Sequence, residues 1–599
     1  MHMKRLVGPL LALIWLGSAL RAEPSPKSPT PAETVTVPNF RLLDHRGQSH
    51  ELYRHKDARL VVLLVAGNGC PIVRHGLTEL KRLRDEFGSQ GVRFALLNAN
   101  AHDTREETVA EAKEFAIDFP ILLDPAQATV RALGLRRTAE VLVIEPANWR
   151  LVYRGALDDR VDYGQQKPKA TQRFAADAIA AALAGKPVAF ARTEVKGCAV
   201  SPDVTGPVDY ATQVAPLLGQ HCVSCHSPGA IAPFAFGSYE KVRGRAGTIA
   251  DVLREDRMPP WHADPQHGKF SNDRSLTPTE RATLLEWIAQ GAPRGTGADP
   301  LPGLQPKPAE PWPLGKPDRV VAMPEEAKIP ATGLVPYQFY TVAAPVEADT
   351  WLRGVALRAG NPKVVHHGLV FIRYPEHLRH LEPPQEQGTA GFFAGFVPGT
   401  DPTFFPEGTG KLLPKGSLLI FQMHYTTTGK EETDRSELAL YFAPEKPATE
   451  LVTGAATNGR FEIPPNARLD GVKSQFRFPQ DVWLHELSPH LHLRGDTFTY
   501  TAVYPDGRQE VLLHVPHYDF SWQTLYRLEE PKRLPAGTRL MCAGSFDNTA
   551  TNPANPNPNA SVRFGEQTDD EMFIGYFNWS PADGNAAVRP APKKRNRRR

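Results

Sequence analysis

Cys222-Val223-Ser224-Cys225-His226 sets two thiols three positions apart with an imidazole directly after the second. Thiols at that spacing can add to the two vinyl groups of a haem, and the adjacent His226 is then held where its ring must ligate the iron. A zinc or redox CxxC would need two further ligands or a thioredoxin setting, and neither lies beside it. The expected cofactor is one covalently attached haem c. Arg257-Met258-Pro259-Pro260-Trp261 offers Met258 as a sixth ligand, because the following prolines fix an extended loop and a thioether favours electron transfer over oxygen binding. His262 is the rival ligand.

Four further pieces carry metal-ligating residue types: His366-His367, Gln422-Met423-His424-Tyr425, His490-Leu491-His492 and Asp570-Glu571-Met572. Neighbouring His366 and His367 point to opposite faces of an ideal strand, so both reach one ion only at a bulge, corner or strand end. His424 adds a third imidazole from another strand. His490 and His492, at i and i+2, share one face and are ready to hold a single ion.

In this order the pieces resemble the copper type II, ascorbate-dependent monooxygenases, the family of peptidylglycine and dopamine β-monooxygenases, over about residues 317–579. The resemblance implies two copper ions: an electron-storage site on His366, His367 and His424, and an oxygen-reacting site on His490, His492 and Met572. Ser488 stands where the peptide-amidating members carry an arginine for the substrate carboxylate, so a glycine-extended peptide is not expected. Tyr576 matches a substrate-side tyrosine of that enzyme. The family's disulfides cannot form, because Cys542 has no partner in this region.

The elements that must position these groups change character along the chain. In 34–190 a buried-strand run, Leu60 to Val65, leads through Gly67-Asn68-Gly69 to Cys70, which opens a helical pattern at Leu77, Leu80 and Leu83. Strands at 93–98 and 139–144 alternate with helices at 108–117 and 172–183, which predicts a mostly parallel sheet covered on both faces. This strand-turn-Cys-helix entry resembles the thioredoxin-like and peroxiredoxin superfamily. A thiol at a helix N-terminus has its pKa lowered, so Cys70 is a candidate catalytic nucleophile. Val73 replaces the second thiol of a thioredoxin CxxC, Ala139 stands at the cis-proline position after Thr138, and Gly67 replaces a peroxiredoxin threonine. Cys198 is left to resolve Cys70 or to pair with it structurally.

Residues 205–297 put helices at 210–218 and 277–290 around the haem motif, with Thr277-Pro278-Thr279-Glu280 ordered as cap, N1 proline and acidic first turn. Together with Met258 this resembles a class I cytochrome c domain. A proline-rich linker, 298–318, leads to short β-branched and aromatic runs divided by Pro, Gly, Asn and Asp, which read as two sandwiches at 319–450 and 451–585. The expected fold class is therefore multidomain: an α/β thioredoxin-like domain, an all-α cytochrome c domain and two all-β, jelly-roll-like sandwiches.

Met1 to Arg5 is short and basic, Leu6 to Leu16 is apolar and small residues follow, a secretory signal over 1–22. No later stretch reaches ~18 uninterrupted apolar residues, so no integral membrane segment is expected. Export and covalent haem both imply a bacterial periplasm or the cell exterior. A net charge of +3 over 599 residues argues against nucleic acid as a partner, and the basic run 586–599 reads as a solvated tail. The expected activity is copper-dependent hydroxylation of a C–H bond of a small-molecule or peptide substrate with O2, with electrons from a reductant or redox partner entering through the haem. Two rivals stand beside it: a non-catalytic copper- and haem-binding electron-transfer or copper-handling protein, and a thiol peroxidase or oxidoreductase acting through Cys70.

Overall fold

The computed structural model describes residues 35–162, 165–167, 169–228, 230–306, 312–333, 335–381, 391–397, 402–584 and 587. The expected signal segment, most of the basic tail and the centre of the proline-rich linker lie outside them.

The first domain is a five-stranded sheet of β1 (Leu60–Ala66), β2 (Val92–Asn98), β3 (Ile121–Leu123), β4 (Val141–Glu145) and β5 (Arg150–Gly155), in the order β3-β2-β1-β4-β5. The helices are α1 (Pro71–Phe87), α2 (Arg105–Glu114), α3 (Ala128–Ala132) and α4 (Phe174–Leu183). All seven residues of β1 are buried, as its unbroken apolar run requires of a central strand. The sheet is mixed rather than mostly parallel: β1, β2 and β3 run parallel, while β4 is antiparallel to both β1 and β5. A short turn joins β4 to β5, and a connection that short can only make an antiparallel pair.

The next segment is helical, with α5 (Ala215–His221), α6 (Tyr239–Arg243), α7 (Ala246–Arg254) and α8 (Pro278–Ala289). The helix expected at 210–218 begins as a π-helical turn, Tyr210–Val214, and becomes α-helical only from Ala215. Thr277 and Glu280 form the reciprocal capping box at the start of α8. Tyr210, Tyr239 and Trp287 pack together in the core of this segment. The stretch after α7 leaves that core: Trp261 is buried in the last sandwich against Tyr526 and Phe270.

The remainder is a large all-β region. Its first half comprises β6 (Arg319–Ala322), β7 (Gln338–Ala343), β8 (Thr350–Arg358), β9 (Val365–Arg373), β10 (Phe392–Phe396), β11 (Thr409–Leu413), β12 (Leu418–Tyr425), β13 (Glu437–Phe442) and β14 (Thr449–Glu450). They form sheets β6-β13-β8-β11-β14 and β7-β12-β9-β10. Leu352, Leu438 and Leu440 of one sheet meet Val370, Leu419 and Phe421 of the other, all buried. The second half comprises β15 (Val452–Thr457), β16 (Arg468–Arg477), β17 (Val482–His490), β18 (Gly495–Val503), β19 (Gln509–Val515), β20 (Tyr526–Leu534), β21 (Arg539–Asp547) and β22 (Ile574–Pro581). Its sheets are β15-β22-β17-β20 and β16-β21-β18-β19. Phe498, Tyr500 and Phe546 fill the space against Leu487, Phe577 and Trp579. Polar contacts join the first domain to the helical segment and the last sandwich, including Arg105 to Asp264 at 2.7 Å, Arg131 to Glu286 and Arg54 to Asp547. Among the described residues, no helix is long and apolar enough to cross a membrane.

Candidate functional site

Cys70 is the N-cap of α1, at the end of the tight turn that follows β1. Its Sγ lies 3.1 Å from Sγ of Cys198, and both cysteines are free thiols. Cys198 comes from the chain after α4, which returns across the domain and pairs with the loop before β4: Thr138 N donates to Cys198 O at 2.9 Å, and Cys198 N donates to Thr138 Oγ1 at 3.0 Å. Thr138 Oγ1 is also 3.0 Å from Cys70 Sγ, so one hydroxyl touches both halves of the pair. Burial pushes the Cys70 thiol up, but hydrogen bonds from Thr138, Cys198 and the Val73 backbone outweigh it and leave the thiol below its ordinary value. Cys198 is raised, first by its hydrogen bond with Cys70 and then by burial. The approach depends on Gly197, where a Cβ would sit 1.7 Å from the Thr138 carbonyl oxygen. Ala139, at the cis-proline position, uses its N–H to donate to Val65 O at 2.7 Å, a bond proline cannot make.

In the first sandwich, β9 and β12 bring His366, His367 and His424 together, with ligand atoms all within 4.8 Å of one another. The register between β9 and β12 shifts between Val365 and His367, which places an irregularity at His366 and lets neighbouring histidines turn to one point. His366 Nδ1 and His367 Nδ1 are 3.1 Å apart. His424 Nδ1 is buried without a hydrogen-bond partner, the situation a metal ion would relieve. Burial pushes His366 down to about 4, His424 to about 3 and His367 well below the ordinary value, so all three are neutral donors.

His490 is the last residue of β17, and His492 lies just beyond the strand rather than on its face. Each ring is fixed through Nδ1: that of His490 donates to Gln523 Oε1 at 2.8 Å, and that of His492 to the Asp570 carbonyl at 3.2 Å. Both Nε2 atoms are thereby left as lone pairs, and that of His492 is buried with no partner. Glu571, pushed up to about 8 by burial, accepts from the backbone N–H of His492 and of Arg494, strapping the segment that carries the buried Met572 to the His490–His492 turn. The chemistry of both donor sets fits copper.

A loop between β19 and β20 joins the two sets. The Phe520 ring stacks on His366 at 5.2 Å and lies 5.7 Å from His492, and Gln523 Nε2 approaches His367 Nδ1 at 3.4 Å. Sequence reading missed Phe520 and Gln523, which sit in no motif. It also missed the role of Thr138, although that residue precedes the position where thioredoxin-like domains place their proline.

Cys222, Cys225 and His226 follow α5 in a tight turn, with His226 N donating to Cys222 O at 2.9 Å. His226 Nδ1 donates to the Phe234 carbonyl at 3.1 Å, which leaves Nε2 without that proton and free to act as a ligand, and its ring stacks on Phe236. Those features fit a covalent haem. Met258 lies half-buried in the turn after α7, whereas His262 is buried with its ring 5.6 Å from that of His517, between the helical segment and the last sandwich. His485 bonds Ser580 at 2.9 Å and lines the cavity between the sandwiches, and His514 bonds Thr499 at 2.8 Å. That cavity, of about 760 Å3, reaches from Cys225 to His490 and Gln523, with Ser488 and Tyr576 in its wall.

The Redoxin family model matches residues 32–172. A thiol-disulfide oxidoreductase, ResA, of Halalkalibacterium halodurans is 28% identical over 106 residues, which cover 18% of this chain and 58% of that protein. The chain thus spans a little over half the length of this relative. Among solved structures, a hypothetical protein from Sinorhizobium meliloti is 27% identical, covering 29% of this chain and 96% of its own, with a TM-score of 0.27. A conserved protein from Geobacillus kaustophilus is also 27% identical, covering 31% and 100%, with a TM-score of 0.27. The N-terminal domain of this multidomain chain is a redoxin-type, thioredoxin-like domain.

Proposed function

We propose that the N-terminal domain is a thiol-disulfide oxidoreductase acting through Cys70 and Cys198. The observation that carries this reading is the 3.1 Å approach of the two sulfurs beneath the shared Thr138 hydroxyl. The lowered thiol, Cys70, attacks a substrate disulfide, forming a mixed disulfide and releasing one substrate thiolate. Cys198 then attacks Cys70 Sγ, displaces the second substrate thiolate and leaves a Cys70–Cys198 disulfide, so two electrons pass to the substrate. An external dithiol reductant restores the pair. The test is reduction of a model disulfide by the wild type, Cys70→Ser and Cys198→Ser. Activity lost in Cys70→Ser, with a mixed disulfide trapped in Cys198→Ser, supports the assignment; equal rates in wild type and Cys70→Ser refute it.

A second reading, for the β region, is favoured by a separate observation: three imidazoles, those of His367 and His424 buried and that of His366 half-buried, converge on one point, and two more present free Nε2 atoms nearby. This is a copper-dependent monooxygenase, with one copper ion on His366, His367 and His424, the other on His490, His492 and Met572, and a haem c on Cys222, Cys225 and His226. When bound, copper supplies one-electron transfer and oxygen activation for C–H hydroxylation, and haem supplies a route for electrons. The chain's own contribution is orientation. Gln523 and the Asp570 carbonyl hold the His490 and His492 rings, Phe520 fills the space beside the imidazoles and keeps water out, and Ser488 and Tyr576 border the cavity where a substrate enters. An exported, periplasmic setting fits both the covalent haem and the thiol pair. Two coppers per chain, falling to one in His490→Ala/His492→Ala, are expected; no copper in the wild type, or none lost in the variant, would sink this reading.

A further inference from the structure

The cavity that reaches His490 also has a polar stretch of wall. Lys411, on β11 of the first sandwich, is 8% exposed, and its Nζ donates to the Phe393 carbonyl and to Thr453 Oγ1, each at 3.0 Å. From Thr453 a row of cross-strand neighbours runs over the second sandwich. Thr453 pairs with Asn578, Asn578 with Glu486 and Glu486 with Arg527. The side chains are linked in the same order, Thr453 to Asn578 at 2.7 Å, Asn578 to Glu486 at 2.5 Å and Arg527 to Glu486 at 3.1 Å. All five residues line the cavity.

The row itself carries two cations, Lys411 and Arg527, and one carboxylate, Glu486, with the Glu450 carboxylate also acting on Lys411. Glu486 is hydrogen-bonded by Arg527 and Asn578, while both hydrogen bonds of Lys411 go to uncharged oxygens and the rings of Phe393 and Phe405 lie 6.0 and 5.5 Å from its Nζ; an ammonium has a third N–H to offer a ligand. An ammonium buried in that way is costly until an anion joins it. Burial lowers Lys411 to about 8, against the carboxylates of Glu486 and Glu450. Arg358 and Glu529 also border the cavity, at its exposed rim, and Arg358 is paired with Glu437. The lining also includes apolar side chains, among them Leu369, Phe392, Phe393 and Phe396. Glu486, Ser488 and His490 alternate along β17 and all face the cavity, so the polar row stands four residues from His490, roughly 13 Å at the usual rise per residue.

We infer that the cavity binds an elongated amphipathic monoanion, its carboxylate on Lys411 and its apolar chain running toward His490. This names the substrate class for the copper reading above and rests on it; Ser488, with no charge, leaves the middle of the channel open to an apolar chain.

Decanoate and decanol, matched in length and differing in the head group, are the probes, titrated into the full-length protein by calorimetry. Wild type is expected to prefer decanoate by roughly tenfold or more, the worth of a hydrogen bond to a buried charge. In Lys411→Met that preference disappears while decanol binding is retained. Asn578→Asp, which adds a negative charge beside the head group, should lose decanoate selectively if Lys411→Met does not fold. Equal affinity for the two probes in wild type, no binding of either, or preference retained in both variants overturns the inference. Copper content of the same samples reports separately on the metal reading. Discrimination through Lys411 without bound copper removes the catalytic role and leaves the anion site; copper without discrimination removes the anion site alone.

Discussion

Gln523 accepts a 2.8 Å hydrogen bond from the Nδ1–H of His490, and its Nε2 lies 3.4 Å from His367. One carboxamide therefore sets the tautomer of a histidine in the second cluster while touching the first. In Gln523→Leu the His490 ring loses its orienting acceptor, and copper affinity at the His490–His492 site should fall by about 10–100-fold, the usual effect of removing such a partner. Competition with a copper chelator measures this, and an unchanged affinity would show that His490 is held by other contacts.

The Thr138 hydroxyl is the strongest of the groups opposing the burial that raises the Cys70 thiol. A lowered pKa means thiolate persists at pH values below the ordinary thiol midpoint, and the thiolate fraction falls as pH drops through the lowered value. Thr138→Val removes that hydrogen bond, so the midpoint for alkylation of Cys70 should move to higher pH, with slower alkylation at neutral pH. Mass spectrometry of the Cys70 peptide across a pH series tracks it; a midpoint that stays put or falls contradicts the role given to Thr138.

A Cβ at Gly197 would overlap the Thr138 carbonyl oxygen at 1.7 Å. Gly197→Ala must push the 197–199 segment away from the loop before β4, at a cost of about 1–3 kcal/mol if it behaves like other overpacked sites. Cys198 then withdraws from Cys70. Oxidation of wild type should join the two sulfurs readily, while the variant should leave both open to alkylation. Equal disulfide yields would mean that the segment adapts without losing the pair.

His226 is oriented through Nδ1 to the Phe234 carbonyl, which leaves Nε2 as the nitrogen that a haem iron would take. Cys222→Ser/Cys225→Ser should abolish covalent haem, detected by staining after denaturing electrophoresis, without lowering copper content. His226→Ala should keep the thioether-linked haem but change its absorption spectrum. Wild-type protein matured in a haem-attaching host yet carrying no covalent haem would rule the assignment out.

Features set by short-range rules were legible in the chain itself. The buried run of β1, the helix opening at Cys70, the capping box of α8 and the CxxCH turn each depend on residues a few positions apart, where side-chain period and cap chemistry act directly. Even the need for an irregularity at His366-His367 came from strand alternation, and the register shift lies there. The direction of β4 was not legible, because buried parallel and antiparallel strands share the same apolar pattern. Nor was the meeting of Cys70 with Cys198 across 128 positions, the placement of Phe520 and Gln523 between two histidine clusters, or the row from Lys411 to Arg527 across two sandwiches. Local periodicity tells which face a side chain takes on its own element. Which distant face it meets is decided by how the layers pack, because burial and hydrogen bonding are satisfied only when the whole fold closes.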